Sequence, residues 1–216
     1  MSFNIIDIKN WPRKECFEHF MNNAGCSYSI TVNMDITNLY KFLKKNNLRM
    51  YPAFTWIITK AINEIDEFKM GYDESGKLGY YDKINPCYSV LNSETKVMSD
   101  LCTKYNKKFI EFYYDMVKSL DSYKNDKSYK TNFYRNFFIV SCIPWMSYSS
   151  FNVNNEGKQP FLFPMVTWGK YFEQDNKIII PVTIQIHHAV ADGYHCSLFY
   201  KSVEEVLMDP EKYLVL

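Results

Sequence analysis

Three of the chain's four histidines fall within twelve residues, IQIHHAVADGYH from Ile184 to His195, together with Asp192 and Gly193. Imidazole is the side chain whose ordinary pKa lies nearest neutrality, so such a cluster can serve as a base, as metal ligands or as plain packing. Period-two alternation along IIIPVTIQIHH sets Val182, Ile184, Ile186 and His188 on one face of a strand, and Thr183, Gln185 and His187 on the other. The two adjacent histidines therefore cannot share a ligand. A metal site would need His188, Asp192 and His195 to converge across a strand–turn–helix, and no cysteine or glutamate spacing supports it. Histidines satisfied at a sheet edge are a second reading. The third is a general base at the end of an apolar strand face, where desolvation favours the neutral ring, with the acid shaping the turn. The residues alone leave all three open.

The elements that must position this stretch can be read in coarse form. Asn10 and Pro12 in NWPRKECFEHFMNN suit the cap and first turn of a short helix. CSYSITVNMDI alternates as a strand, and DITNLYKFLKKNN and YPAFTWIITKAINEI read as helices, the second apolar over most of its circumference and hence buried. GKLGYYD and CYSVLNSETKVMSDLC read as strands, and NKKFIEFYYDMVKSLDSY as a long amphipathic helix. RNFFIVSCIPW is a buried strand stopped by Pro144, and MVTWGKYFEQDNKIIIPVTIQIHH a hairpin turning at EQDNK. GYHCSLFYKSVEEVLMD is a closing helix followed by Pro210. Interleaved helices and strands predict an α/β or α+β layered chain in one domain over residues 1–216.

Composition narrows the function classes. Lys+Arg 25 against Asp+Glu 24 gives no overall field for nucleic acid. No run approaches the ~18–20 apolar residues of a membrane span, and the mean hydropathy is −0.32. MSFNIIDIKNWPRKE carries acids and lacks a signal peptide's apolar stretch. The six cysteines are scattered without a CxxC pair and read as reduced thiols of a cytoplasmic protein. Aromatics make up 18%, which suits a bulky core, an aromatic pocket or a subunit interface.

HHAVADG resembles the HHxxxDG motif of the CoA-dependent acyltransferase superfamily, which includes chloramphenicol acetyltransferases, dihydrolipoyl acyltransferases and peptide-synthetase condensation domains. The motif does not choose among them. NWPRKECFEHF, CSYSITVNMDIT, RMYPAFTWII, SCIPW, FPMVTWGKY and IIIPVTIQIHHAVADGYH recur in order as in the chloramphenicol acetyltransferases, and the resemblance covers nearly the whole chain. A condensation domain is much longer, and a dihydrolipoyl acyltransferase would carry a lipoyl arm.

The resemblance implies the CoA-dependent acyltransferase fold, an α/β two-layer α+β sandwich with a mixed β-sheet packed with helices, and a homotrimer with sites at subunit interfaces. It implies transfer of acetyl from acetyl-CoA to chloramphenicol or a similar small aromatic alcohol, with no metal, nucleic acid or membrane partner. It maps the base to His188, its tautomer fixed by its own backbone carbonyl, and the oxyanion donor to Ser141, with Thr167 assisting through water. It implies a buried Asp192–Arg13 ion pair in support. Phe20, Ala24, Tyr28, Met98, Phe151 and Asn155 map to the acceptor pocket, and Arg49, Lys170 and Tyr171 to the CoA site. The chain departs from the family pattern at Ala191, where cysteine is usual, and at Ile139, where asparagine is common. Ala24, Asp100 and Asn155 stand where bulkier or less polar groups are expected. A same-fold enzyme acting on another hydroxyl or amine is the alternative. A further rival is a binding relative without turnover.

Overall fold

The computed structural model describes residues 2–124, 128–129, 131, 133–154 and 160–216. In chain order the elements are β1 (Phe3–Ile5), α1 (Lys14–Asn22), β2 (Ser27–Asp35), α2 (Thr37–Lys45), α3 (Met50–Asn63), a 3-10 turn (Asp66–Lys69), β3 (Met70–Tyr72), β4 (Leu78–Tyr81), β5 (Asn85–Leu91) and β6 (Met98–Cys102). There follow α4 (Phe109–Lys124), β7 (Phe137–Ile143), β8 (Met165–Gly169), β9 (Phe172–Gln174), β10 (Lys177–His187), α5 (Gly193–Met208) and α6 (Pro210–Tyr213).

The main sheet is mixed. Its order is β2-β10-β8-β7-β5-β6, with β9 on β10; β5–β7 and β7–β8 are parallel and the other pairs antiparallel. Register sorts its side chains by face. Val140, Val166, Val182, Ile184 and Ile186 are buried among the helices, and Trp168 meets Tyr51 and Phe54 of α3 at 5.6 and 5.0 Å. The all-round apolarity of α3 follows from its place: ten of its residues are buried, with α4, α5 and the sheet around it. Hydroxyls line the opposite face of the sheet, where Tyr148 bonds Thr167 and Thr183 and Val153 bonds Gln185.

A second sheet, β1-β4-β3, was legible only as GKLGYYD, because three-residue strands carry almost no periodicity. A side chain at Gly79 would run into the Asn4 carbonyl and the Phe3 ring, so this residue lets β1 lie against β4. The predicted hairpin turn is present, with Asp175 and Asn176 both at positive φ (51° and 61°), the conformation a two-residue hairpin loop requires. The chain leaves β8 at Lys170 before re-entering the sheet as β9.

Two expectations need correction. Asn10 does not cap α1: its side chain is spent on Asp7 (2.7 Å), and the helix starts at Lys14 behind Arg13. The cysteines are not all free thiols, since Cys87 and Cys102 form a disulfide. The β5–β6 register places them directly opposite, with Cα atoms 4.2 Å apart.

Candidate active site

β10 runs nine residues in register with β2, which fixes the expected alternation up to its end. His187 turns to the hydroxyl face and is buried; its Nδ1 accepts the Ala189 N–H at 3.2 Å, so the neutral ring carries its proton on Nε2. Burial, and then the neighbouring His188, lower its pKa below the usual histidine value. His188 turns the other way. Its ring stacks on Phe20 of α1 (4.0 Å between centroids, 4° between planes) and tilts against Tyr28 at 5.0 Å. Its N–H donates to the Cys26 carbonyl at 2.9 Å. His188 Nδ1 is buried without a hydrogen-bond partner among the described residues, so the anchor expected at its own carbonyl is not among the bonds formed. Nε2 is left as the nitrogen with access.

Four residues on, Asp192 caps α5, accepting the Tyr194 N–H at 3.0 Å. Its other oxygen accepts from Arg13 Nη1 at 2.9 Å, joining positions 179 residues apart. The expected pair therefore forms, but it is only part-buried: the side chains are 20% and 35% exposed, although Arg13 Nε and Nη2 are themselves buried. Burial raises the Asp192 pKa, and the Arg13 bond, the His195 and Arg13 charges and the Tyr194 N–H outweigh it, so the carboxyl lies below its usual range.

Ser141 lies elsewhere. It pairs in register with Thr167 of β8, which pairs with Thr183 of β10, which pairs with Thr31 of β2, so one row of hydroxyls crosses the sheet on the face opposite Val140 and Val182. Thr31 and Thr183 share a hydrogen bond of 2.7 Å. Tyr148 OH donates to the Thr167 carbonyl at 2.6 Å and accepts from Thr183 Oγ1 at 3.2 Å. The Ser141 hydroxyl has no side-chain bond among the described residues. Two strand spacings and five residues of β10 separate it from His188, about 19 Å by sheet geometry, with the ring on the other face. Within one chain, the two cannot meet at one reacting carbon.

The expected acceptor residues are only partly gathered. Tyr28 borders a cavity of about 600 Å³ shared with Cys26, Asn152, Asn154, Gln185 and His187. Phe20 backs His188, Ala24 is exposed beyond α1, and Phe151 lies 5.7 Å from Tyr148. Met98 and Asp100 belong to β6, at the far edge of the sheet, where Asp100 accepts from Ser89 Oγ at 2.8 Å. Asn155 lies outside the described residues. Sequence reasoning missed Gln185 as a lining group, although its place beside His187 on the hydroxyl face was legible; its amide holds Val153 N–H and C=O at 2.8 and 2.6 Å.

Of the cofactor residues, Arg49 is spent on Asp121 in a two-pronged pair at 2.9 and 3.1 Å. Lys170 and Tyr171 are exposed, and Tyr171 packs edge-on against Tyr40 (5.5 Å), over which Lys44 stands at 5.4 Å. Tyr40 and Lys44 were missed, though an aromatic and a cation four apart on one helix are a readable pair. Burial pushes the Cys142 thiol up to about 12 and raises that of Cys196, which disfavours either as a thiolate nucleophile. Among the described residues no three His, Cys, Asp or Glu side chains converge on a metal position.

The family model described as chloramphenicol acetyltransferase matches residues 1–204. A chloramphenicol acetyltransferase of Clostridium butyricum is 42% identical over 216 residues, covering 99% of each chain. One of Staphylococcus aureus is 37% identical over 217 residues and covers both chains fully. A solved chloramphenicol acetyltransferase superposes with a TM-score of 0.85 at 25% identity, over 95% of this chain and all of that one. A dihydrolipoamide acetyltransferase of Azotobacter vinelandii shares the fold alone, with a TM-score of 0.66 at 14% identity over 93% and 88%.

Proposed function

The chain belongs to the chloramphenicol acetyltransferase family and is an acyltransferase, and from that premise we propose how its residues transfer acetyl from acetyl-CoA to a hydroxyl of chloramphenicol. His188 Nε2 takes the proton of the acceptor hydroxyl as its oxygen attacks the thioester carbonyl. Ser141 donates to the oxyanion of the tetrahedral intermediate. Collapse breaks the C–S bond, and the imidazolium returns its proton to the departing CoA thiolate. Thr167, beside Ser141, assists through an ordered water.

The observation that carries this reading is the placement of His188. It ends an apolar strand face, is wedged on Phe20 with one nitrogen free, and its turn is braced four residues on by Asp192 and Arg13. Its separation from Ser141 supports a site completed by a second copy, and hence the homotrimer. Tyr171 with Tyr40, and Lys170 with Lys44, offer aromatic faces and cations suited to the adenine and phosphates of CoA. With Arg49 engaged by Asp121, the CoA site is better assigned to that group.

The domain spans residues 1–216 and works in the cytoplasm.

One observation favours the same-fold alternative. Asn152 and Asn154 bring amides to a cavity also walled by Phe161, Phe163 and Met165, which suits a more polar hydroxyl or amine acceptor than chloramphenicol. Thiol release from acetyl-CoA, followed with and without chloramphenicol, separates the readings. Release that depends on chloramphenicol supports the proposal. Release only with another acceptor supports the alternative, and none at all supports a binding protein.

A further inference from the structure

We propose that His195 is a positioning residue for the transfer step, joining Asp192 to Glu67 so that the turn carrying His188 is fixed at both ends. This rests on the catalytic reading above. The start of α5 is a capping box, in which the third helical residue reaches back to the cap's own N–H; glutamate or glutamine usually fills that place. Here it is His195, which is buried. Its Nδ1 meets the Asp192 N–H at 3.2 Å and Asp192 Oδ1 at 3.0 Å; in the neutral tautomer that accepts the N–H, the proton sits on Nε2. Nε2 stands 3.5 Å from Glu67 Oε1, on the 3-10 turn that follows α3.

An unbroken line of contacts thus runs Arg13–Asp192–His195–Glu67, tying α1 and that turn to the start of α5. The segment between the histidine pair and Asp192 is clamped from both sides. At one end the His187 carbonyl accepts from the Val190 and Ala191 N–H groups; at the other the His195 ring holds the Asp192 N–H. With its N–H held, Asp192 presents one carboxylate oxygen to Arg13 and the other to the Tyr194 N–H and the His195 ring. Releasing the His195 end would let Asp192 turn and the His188 ring shift on Phe20. A base displaced by a fraction of an ångström loses rate without losing substrate affinity.

The test compares His195→Gln, His195→Phe, Glu67→Gln and Glu67→Ala with the wild type by thiol release, reading kcat and both KM values separately, with melting temperature alongside. Glutamine can still accept the Asp192 N–H and offer an N–H to Glu67, so His195→Gln should keep kcat within about threefold. His195→Phe fills the space but accepts nothing, and kcat should fall on the order of 10- to 100-fold with both KM values held. Equal kcat in the Gln and Phe variants, or a loss confined to KM, would overturn the proposal. Should His195→Phe fail to fold, Glu67→Ala, which leaves the cap in place, should still lower kcat more than Glu67→Gln does, and equal values there would overturn it. Wild-type protein that releases no thiol with any acceptor would remove the catalytic reading and this inference together. An active wild type with a fully active His195→Phe removes only the inference.

Discussion

At the scale of single residues, His188 and Ser141 should fail in different ways. His188→Ala removes the proton acceptor, and with no second base beside it kcat should fall about 10²- to 10⁴-fold while the protein still folds and binds acetyl-CoA; activity above roughly a tenth of wild type would refute the role. Ser141→Ala should lower kcat on the order of 10²- to 10³-fold with KM nearly unchanged, and a raised KM at constant kcat would make Ser141 a packing group. His187 gives a test in pH. Its pKa is lowered in the fold, so below the ordinary value of about 6.5 the unfolded chain binds a proton that the native chain refuses. Stability should therefore fall as pH drops through that region, and His187→Asn, which can still accept the Ala189 N–H, should flatten the slope in melting temperature against pH. Alternation alone told His187 from His188, because a strand's period of two needs no tertiary information. It could not show that Phe20 would stack on His188, nor that Arg49 would be claimed by an acid 72 residues away, since a sequence gives no distances between elements.

At the scale of elements, the start of α5 holds both a cap and an ion pair in one side chain. Asp192→Asn keeps a good capping group but drops the charge facing Arg13, whereas Asp192→Ala loses both. Because the pair is only part-buried, its loss costs less than that of a fully buried pair. The cap adds about 0.5–2 kcal/mol. Thermal melts should thus rank wild type, Asp192→Asn, Asp192→Ala in falling order, and an Asn variant as unstable as the Ala one would show that the charge, not the cap, dominates. The helix was legible from its pattern, but its bond to Arg13 came only from family resemblance. The β5–β6 hairpin shows the reverse case. Its register centres the turn between Glu94 and Thr95, equidistant from Cys87 and Cys102, so the pairing was readable once the hairpin was drawn. Reading the cysteines by spacing motifs instead of by register hid it.

At the scale of the whole molecule, the sheet's two faces are why the proposed mechanism draws on a second chain. The helix-covered face and its end carry His188, the hydroxyl face carries Ser141, and about 19 Å of sheet lies between them. The layering of helices and strands was legible from interleaved periods of two and 3.6, whereas the mixed sheet came from family resemblance. The strand order was not, because nothing local specifies which strands become neighbours. The near-zero net charge offers no overall field for a polyanion and is compatible with the small substrate of the family. The most direct test co-expresses His188→Ala and Ser141→Ala chains, each nearly inactive alone. If every site takes His188 from one copy and Ser141 from the next around a ring of three, random mixing restores about a quarter of wild-type thiol release, because each mixed trimer holds one intact site. Mixed protein no more active than its two parents would contradict the shared site.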